Sequence, residues 1–433
     1  MRTVRSLLFP ALLLSAASPS AVFPVPPTCA PNCVPALAAA IQACAALGAP
    51  CTVQLEAGTY NLQVPHGGTA LTLAGLQDFV LAGAGDATLL VLSDIANLIA
   101  VSGGRNVTLA RFAVDSARVP FTLGTSIAAS PAGTVLAFDA RGLYAVDLQA
   151  YPWLQRAQSV LGYDAALGRP AAPPNVTDIY ELDTPIPVTY LSTAGAAAQL
   201  RLEGRVLPLG QTFIVRHQVY SFNAFTFTGT SGLALLNTSL FSMGGMGLLT
   251  DKCTDIVVDG LSIRKLPGRP MSITADGMHF SNTRGGRVLV QNSLLEGQGD
   301  DGMNIPTIFQ QVGAISSDGL TLQLQGRNQP CPSPPNFLPG DAVNFFNISD
   351  LALLGQGTVA SLGPNLTVVL AAPPPLGVGL FTLVNNAAQV ADSVVLLNNV
   401  FRNNRARGAL LKSSNVYVSG NVFEGMSLSA VKT

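Results

Sequence analysis

Residues 394–403, VVLLNNVFRN, and residues 416–425, VYVSGNVFEG, carry one unit repeated 22 positions apart. In each, alternating apolar residues run into a polar corner at Asn399 or Asn421, and a second short apolar run follows. A period of two is the mark of a strand, and Asn and Gly at fixed places supply bends. Further from the end the unit recurs as NVTLARFAV (106–114), LALLNTSLF (233–241), DIVVDGLSI (255–263) and VLVQNSLLEG (288–297). Asn237 and Asp259 again stand 22 positions apart. A repeat of roughly 20–25 residues made of two or three short strands predicts an all-β fold, a right-handed parallel β-helix. Leucine-rich repeats share the period but need a stricter Leu frame and a helical segment, which this chain lacks. A β-sandwich is the remaining alternative.

Two stretches break the period, 127–209 and 306–389. Both read as strand-turn-strand, for example GLTLQLQG (319–326), DAVNFFNI (341–348) and NLTVVLAAPPP (365–375). Each is expected to form a small inserted β-barrel-like module, since insertions in solenoids gather on one face. The β-helix is then divided into 22–126, 210–305 and 390–433. Residues 36–47, ALAAAIQACAAL, follow Pro35 and precede Gly48, which predicts a capping helix over the first coil. The last repeat starts at Val416 without an evident cap after it. That end is expected either to be covered by a partner, a second copy in a homo-oligomer included, or to belong to a truncated record.

Arg2 and Arg5 precede an apolar run at 7–14 and small residues at 15–21, the layout of a secretory signal peptide over 1–21. Sequons at Asn106, Asn175, Asn237, Asn347 and Asn365 fit a secretory route. Cys29, Cys33, Cys44 and Cys51 crowd into one segment, where disulfides are expected in an oxidising compartment. Four cysteines allow three pairings, and all three stay open. Cys253 and Cys331 are left unassigned.

Only 11% of the 433 residues are charged, against roughly 25% in an ordinary chain. Lys and Arg number 23 and Asp and Glu 24, for a net charge of -1. Nucleic acid and acidic membrane both require a basic excess, so neither is an expected partner. Beyond the leader no apolar run is long enough to span a bilayer.

Against this sparse charge, three acids stand out in Gly-flanked clusters: Asp276 in ADGMHF, and Asp300 and Asp301 in GQGDDGMNI. Asp276 and Asp300 are 24 residues apart, close to one coil, and coils stack about 4.8 Å apart. The three carboxylates are therefore expected in one patch, with Gly299 and Gly302 allowing the bend that turns two consecutive acids the same way. Crowded carboxylates divide into proton holder and ionised group, which is the chemistry of glycoside hydrolysis. Turn chemistry is the plainer account of each Asp-Gly, and a calcium site a third.

The fold signals and the Asp clusters resemble the pectate-lyase-like superfamily of β-helices. Polygalacturonases use a comparable Asp and Asp-Asp pair, but this chain lacks their Gly-His-Gly and Arg-Ile-Lys motifs. It resembles more closely the α-1,3-galactosidases of glycoside hydrolase family 110. The similar stretches are FAVDSARVPFTLGT (112–125), VRHQVYSFNAFTF (215–227), GRPMSITADGMHFSN (268–282), LLEGQGDDGMNI (294–305) and FRNNRARGALL (401–411). The resemblance implies an inverting exo-hydrolase of terminal α-1,3-linked galactose that uses no metal or cofactor. Asp300 would be the general acid, with Asp276 and Asp301 positioning and activating water. His279 and Asn304 are candidates for sugar hydroxyls, and Arg405 and Arg407 for clamping a hydroxyl or neutralising the acids. Tyr220 is a candidate platform, given one Trp, Trp153, in the chain; His217 reads as structural. The rivals are a hydrolase or lyase of uronic-acid polysaccharide and a non-catalytic β-helix of the cell surface.

Overall fold

The structure, a computed structural model, describes residues 21–171, 177–326 and 337–433; all of the expected leader at 1–21 except Ala21, the sequon at Asn175 and Cys331 lie outside the described residues. Three parallel sheets form the body. One of nine strands runs from Ala21–Val25 to Val416–Ser419. Two of eight run from Gly58–Leu62 to Val422–Glu424 and from Thr69–Ala74 to Val431–Lys432. The chain visits the three sheets in turn, coil after coil, which is a parallel β-helix.

The alternation read from the sequence is what fills the interior. Phe79, Val107, Leu233, Ile256, Val288 and Val394 stand one above another in the nine-stranded sheet, all buried. Phe401 and Phe423 stack in the same way, ring on ring, at 4.9 Å. The corners explain the recurrent Asn and Gly. Asn237, Gly260, Asn292, Asn398 and Gly420 occupy the same place in successive coils with φ from +47° to +70°. Asn and Gly adopt that left-handed conformation at least cost. Asn399, fully buried, donates to the Val290 carbonyl at 3.0 Å and to Asn421 Oδ1 at 2.8 Å, so neighbouring coils are joined through side-chain amides. The register corrects one expected pairing. Leu236 pairs with Asp259, a step of 23 residues, so Asn237 lies over Gly260 and not over Asp259.

The first helix spans Val34–Ala45, two residues ahead of the expected 36–47. Pro35 sits inside its first turn, where a missing N–H is tolerated, and Asn32 Oδ1 accepts from the Val34 N–H at 3.1 Å. Leu37, Ile41 and Cys44 face inward and close the lumen. Disulfides join Cys29 to Cys33 and Cys44 to Cys51, and Cys253 is a buried free thiol. Among the described residues no helix is long and apolar enough to cross a membrane.

Both interruptions are antiparallel. The second closes a six-stranded barrel from Gln310–Ile315 to Leu383–Asn386 around Val312, Leu324, Phe345 and Val384. The first is broader than the expected 127–209, because Phe121–Ser130 pairs with Thr212–Arg216 at its base. Arg156–Ala157 pairs with Ile186–Ser192 at one edge of this nine-stranded sheet, and Ser159–Asp164 pairs with Thr212–Arg216 toward the other, where Arg169–Pro170 and Asp178–Tyr180 join it; the sheet has a core of its own around Phe121, Leu200 and Phe213.

Candidate active site

The segments that lead into the sheet ending in Val431–Lys432 stack along one edge of the β-helix, and the acids lie there. Gly277 N–H donates to the Asp301 carbonyl at 2.9 Å and Gly302 N–H to the Arg407 carbonyl at 2.8 Å. Asp276, Asp301 and Arg407 therefore form one vertical column. Met278 pairs with Met303, a coil of 25 residues, so the expected 24-residue match of Asp276 with Asp300 is off by one. Asp300 stands beside the column instead of within it.

Glycine makes this stacking feasible, for a reason other than the expected bend. Neither Gly299 nor Gly302 has positive φ. A Cβ on Gly302 would lie 2.5 Å from the Gly408 carbonyl oxygen, and one on Gly277 would lie 2.5 Å from that of Gly302. The glycines that follow the acids let the coils approach closely.

Each acid is held differently. Asp276 Oδ2 is 2.7 Å from His279 Nδ1. Asp301 Oδ1 accepts from the Arg407 backbone N–H at 2.9 Å, and Arg407 Nη1 reaches both carboxylate oxygens at 3.2 and 3.1 Å. Asp300 Oδ1 accepts from Arg405 Nη1 at 2.8 Å, and its Oδ2 accepts from the Tyr220 hydroxyl. Asn404, fully buried, donates to the carbonyls of Asp300, Arg405 and Arg407 at 3.1, 3.0 and 2.8 Å and fixes the bend.

Burial pushes Asp276 up to about 6, against the pull of His279. Burial, with the adjacent Asp300 charge, also raises Asp301. Burial and the Asp300 charge drive Tyr220 upward and keep its hydroxyl protonated. Burial opposes the Arg405 charge, but Asp300, Tyr180 and Asp178 outweigh it and hold the guanidinium protonated.

One oxygen from each acid lies within 4.8 Å of the others. Five of the six carboxylate oxygens already accept from imidazole, phenol, amide or guanidinium donors. With two arginines bonded to the cluster, its electrostatics suit proton transfer better than a hard cation, which needs free carboxylate oxygens. Asn304 pairs across the sheet with His279 and Leu410, and its Oδ1 is buried without a hydrogen-bond partner. Among the described residues beside the acids, the Gln298 amide and Asn404 Oδ1 are likewise buried without a partner.

All seven expected residues thus gather at one place. Two more come from the first inserted module. Asp178 Oδ2 accepts from Arg405 Nε at 2.9 Å, and Arg405 lies over the Tyr180 ring at 4.3 Å. Tyr220 stacks beside Tyr180 at 6.5 Å and meets the acid through its hydroxyl. Trp153 is buried and donates to Asp94 Oδ1 at 2.8 Å, so it offers no platform. His217 is sealed between Thr122 and the Arg156 carbonyl, and burial lowers it to about 3, in keeping with a structural role.

No family model matches the chain. It is 35% identical over 205 residues to the alpha-1,3-galactosidase B of Akkermansia muciniphila, a match covering 46% of this chain and 25% of that protein. With the alpha-1,3-galactosidase A of Shewanella woodyi the identity is 29% over 245 residues, covering 54% of this chain and 39% of that one. The chain thus spans between a quarter and two fifths of the length of these relatives. Among solved structures, the mannuronan C-5 epimerase A-module of Azotobacter vinelandii covers 92% of this chain and 69% of its own, at 12% identity and a TM-score of 0.37.

Proposed function

We propose that this chain carries the catalytic β-helix of a secreted exo-glycosidase that removes terminal α-1,3-linked galactose with inversion. The observation that carries the reading is the three-acid cluster, each acid held by a different partner, in a chain similar to alpha-1,3-galactosidases. Crowded carboxylates cannot all ionise cheaply, so the cluster holds a proton to share. Asp300 is the most open of the three, with 12% of its side chain exposed against 5% for Asp276 and 4% for Asp301. It is therefore assigned as the acid that protonates the glycosidic oxygen as the bond to the anomeric carbon breaks, after taking the shared proton that burial favours on Asp276 and Asp301. Asp276 and Asp301, stacked in one column, orient a water and take its proton as its oxygen attacks that carbon. His279 and Asn304 meet ring hydroxyls. Disulfides in the helical cap favour an oxidising compartment, in keeping with secretion.

A neutral sugar fits better than a uronate. The cations a uronate would require, Arg405 and Arg407, are already bonded to Asp300 and Asp301. One observation favours retention as a second reading. Oxygens within 4.8 Å are nearer to the ~5–5.5 Å separation of retaining enzymes than to the ~6.5–9.5 Å of inverting ones. Digestion of a panel of α-galactosides and of oligogalacturonate, followed by time-resolved proton NMR, separates these. Release of β-galactose first is expected. First release of α-galactose replaces inversion by retention, and turnover of oligogalacturonate alone overturns the substrate.

A further inference from the structure

Arg216 ends the strand Thr212–Arg216 at the base of the first inserted module and is fully buried. Its Nη1 donates to the carbonyls of Thr274 at 2.9 Å and Gly299 at 2.7 Å. Nε and Nη2 donate to Ser159 Oγ at 3.1 and 2.6 Å. These bonds all go to neutral oxygens, and a guanidinium buried among neutral groups is costly unless negative charge lies close by. The carbonyls it chooses point to that charge. Thr274 stands two residues before Asp276, and Gly299 immediately before Asp300. On its face the ring of Tyr180 lies 4.6 Å from the Arg216 guanidinium and 4.3 Å from that of Arg405, the partner of Asp300. Room for this arrangement is made by Gly299, where a Cβ would lie 2.7 Å from Arg216 Nη1.

We propose that Arg216 is a positioning residue of the active site, one nitrogen bridging the carbonyls ahead of Asp276 and Asp300 and thereby setting the gap between the two acids. Its charge offsets part of the negative charge of the cluster. Ser159 fixes the plane of the guanidinium, and the Tyr180 ring keeps it apart from Arg405. The inserted module then serves as a brace on the acids as well as a projection from the β-helix. The other ionisable groups around the acids are His279 at Asp276, Tyr220 and Arg405 at Asp300, Arg407 at Asp301, and Asp178 and Tyr180 at Arg405. None of them bridges the two segments.

The inference rests on the galactosidase reading for its kinetic arm only. The variants are Arg216→Lys, Arg216→Gln and Ser159→Ala, each compared with the intact chain by carbon NMR titration of aspartate carboxyls and by kcat and KM on an aryl α-galactoside. Loss of the charge in R216Q is expected to move the carboxyl midpoints of the cluster upward by about one pH unit. R216K keeps the charge but not the planar fork, so its midpoints stay near wild type while kcat falls about tenfold at unchanged KM. S159A, a small change suited to the case in which R216Q does not fold, is expected to lower kcat several-fold without a change in KM. Folded variants with wild-type midpoints and wild-type kcat overturn the proposal, as does a loss confined to thermal stability. If the wild type cleaves no α-galactoside, the galactosidase reading fails by itself, and the carboxyl titration still decides the role of Arg216.

Discussion

Replacing Asp276 by Asn is predicted to stabilise the protein, and by an amount that depends on pH. Asp276 is nearly sealed from water, and burial raises it from the ordinary 3.8 to about 6. Between those values the folded chain keeps a proton that the unfolded chain has lost. Stability therefore falls as pH rises through that window and stays lowered above it. A displacement of about 2 pH units corresponds to about 3 kcal/mol, at roughly 1.4 kcal/mol for each. An Asn has the same shape and no charge to desolvate, so D276N is expected to gain about 3 kcal/mol over wild type at pH 8 relative to pH 4. The assay is urea unfolding followed by far-UV circular dichroism at intervals from pH 4 to pH 8. Repeating it in a His279→Gln background separates the Asp276 proton from that of its bonded imidazole. A stability difference that is flat across the range, or one that shrinks toward pH 8, refutes the assignment of burial as the dominant influence.

Other consequences follow from the same geometry. Arg405→Met removes the cation shared by Asp178 and Asp300, so kcat is expected to fall by about a hundredfold or more, read on an aryl α-galactoside. Gly302→Ala places a methyl 2.5 Å from the Gly408 carbonyl oxygen, and the forced separation of coils is expected to cost more than about 2 kcal/mol in unfolding experiments. A Cys44→Ser, Cys51→Ser double variant frees the end of the capping helix and is expected to lose about 2–3 kcal/mol, with earlier melting of the helical signal.

The β-helix was legible because its interior demands an apolar residue at every second position in every coil, as Val107, Leu233, Ile256 and Val288 show. The corners were legible because few residues other than Asn and Gly accept φ near +50°. The acids were legible because charge is scarce throughout the chain. Exact register was not, since coil length varies between corners; Asp276 matches Asp301 through a 25-residue coil, one more than the spacing to Asp300. In the sequence, Gly299 and Gly302 beside the acids suggest a bend, whereas the close approach of neighbouring coils is what requires them. Asp178 and Tyr180 carried no local signal, and Arg216, although within 215–227, had nothing in its own strand to link it to the acids. They reach the acids through pairings such as Phe121 with Arg216 and Leu161 with Asp178, and alternation within one strand says nothing about such distant partners.

In the proposed reaction Asp300 delivers a proton to an α-1,3-galactosidic bond. The most direct measurement is galactose release from an α-1,3-linked digalactoside by wild type and Asp300→Asn, side by side under identical conditions. Release by wild type is expected, with a rate lower by about a thousandfold or more in D300N, whose melting temperature stays close to wild type. Equal rates in the two proteins, or no release by wild type, contradict it.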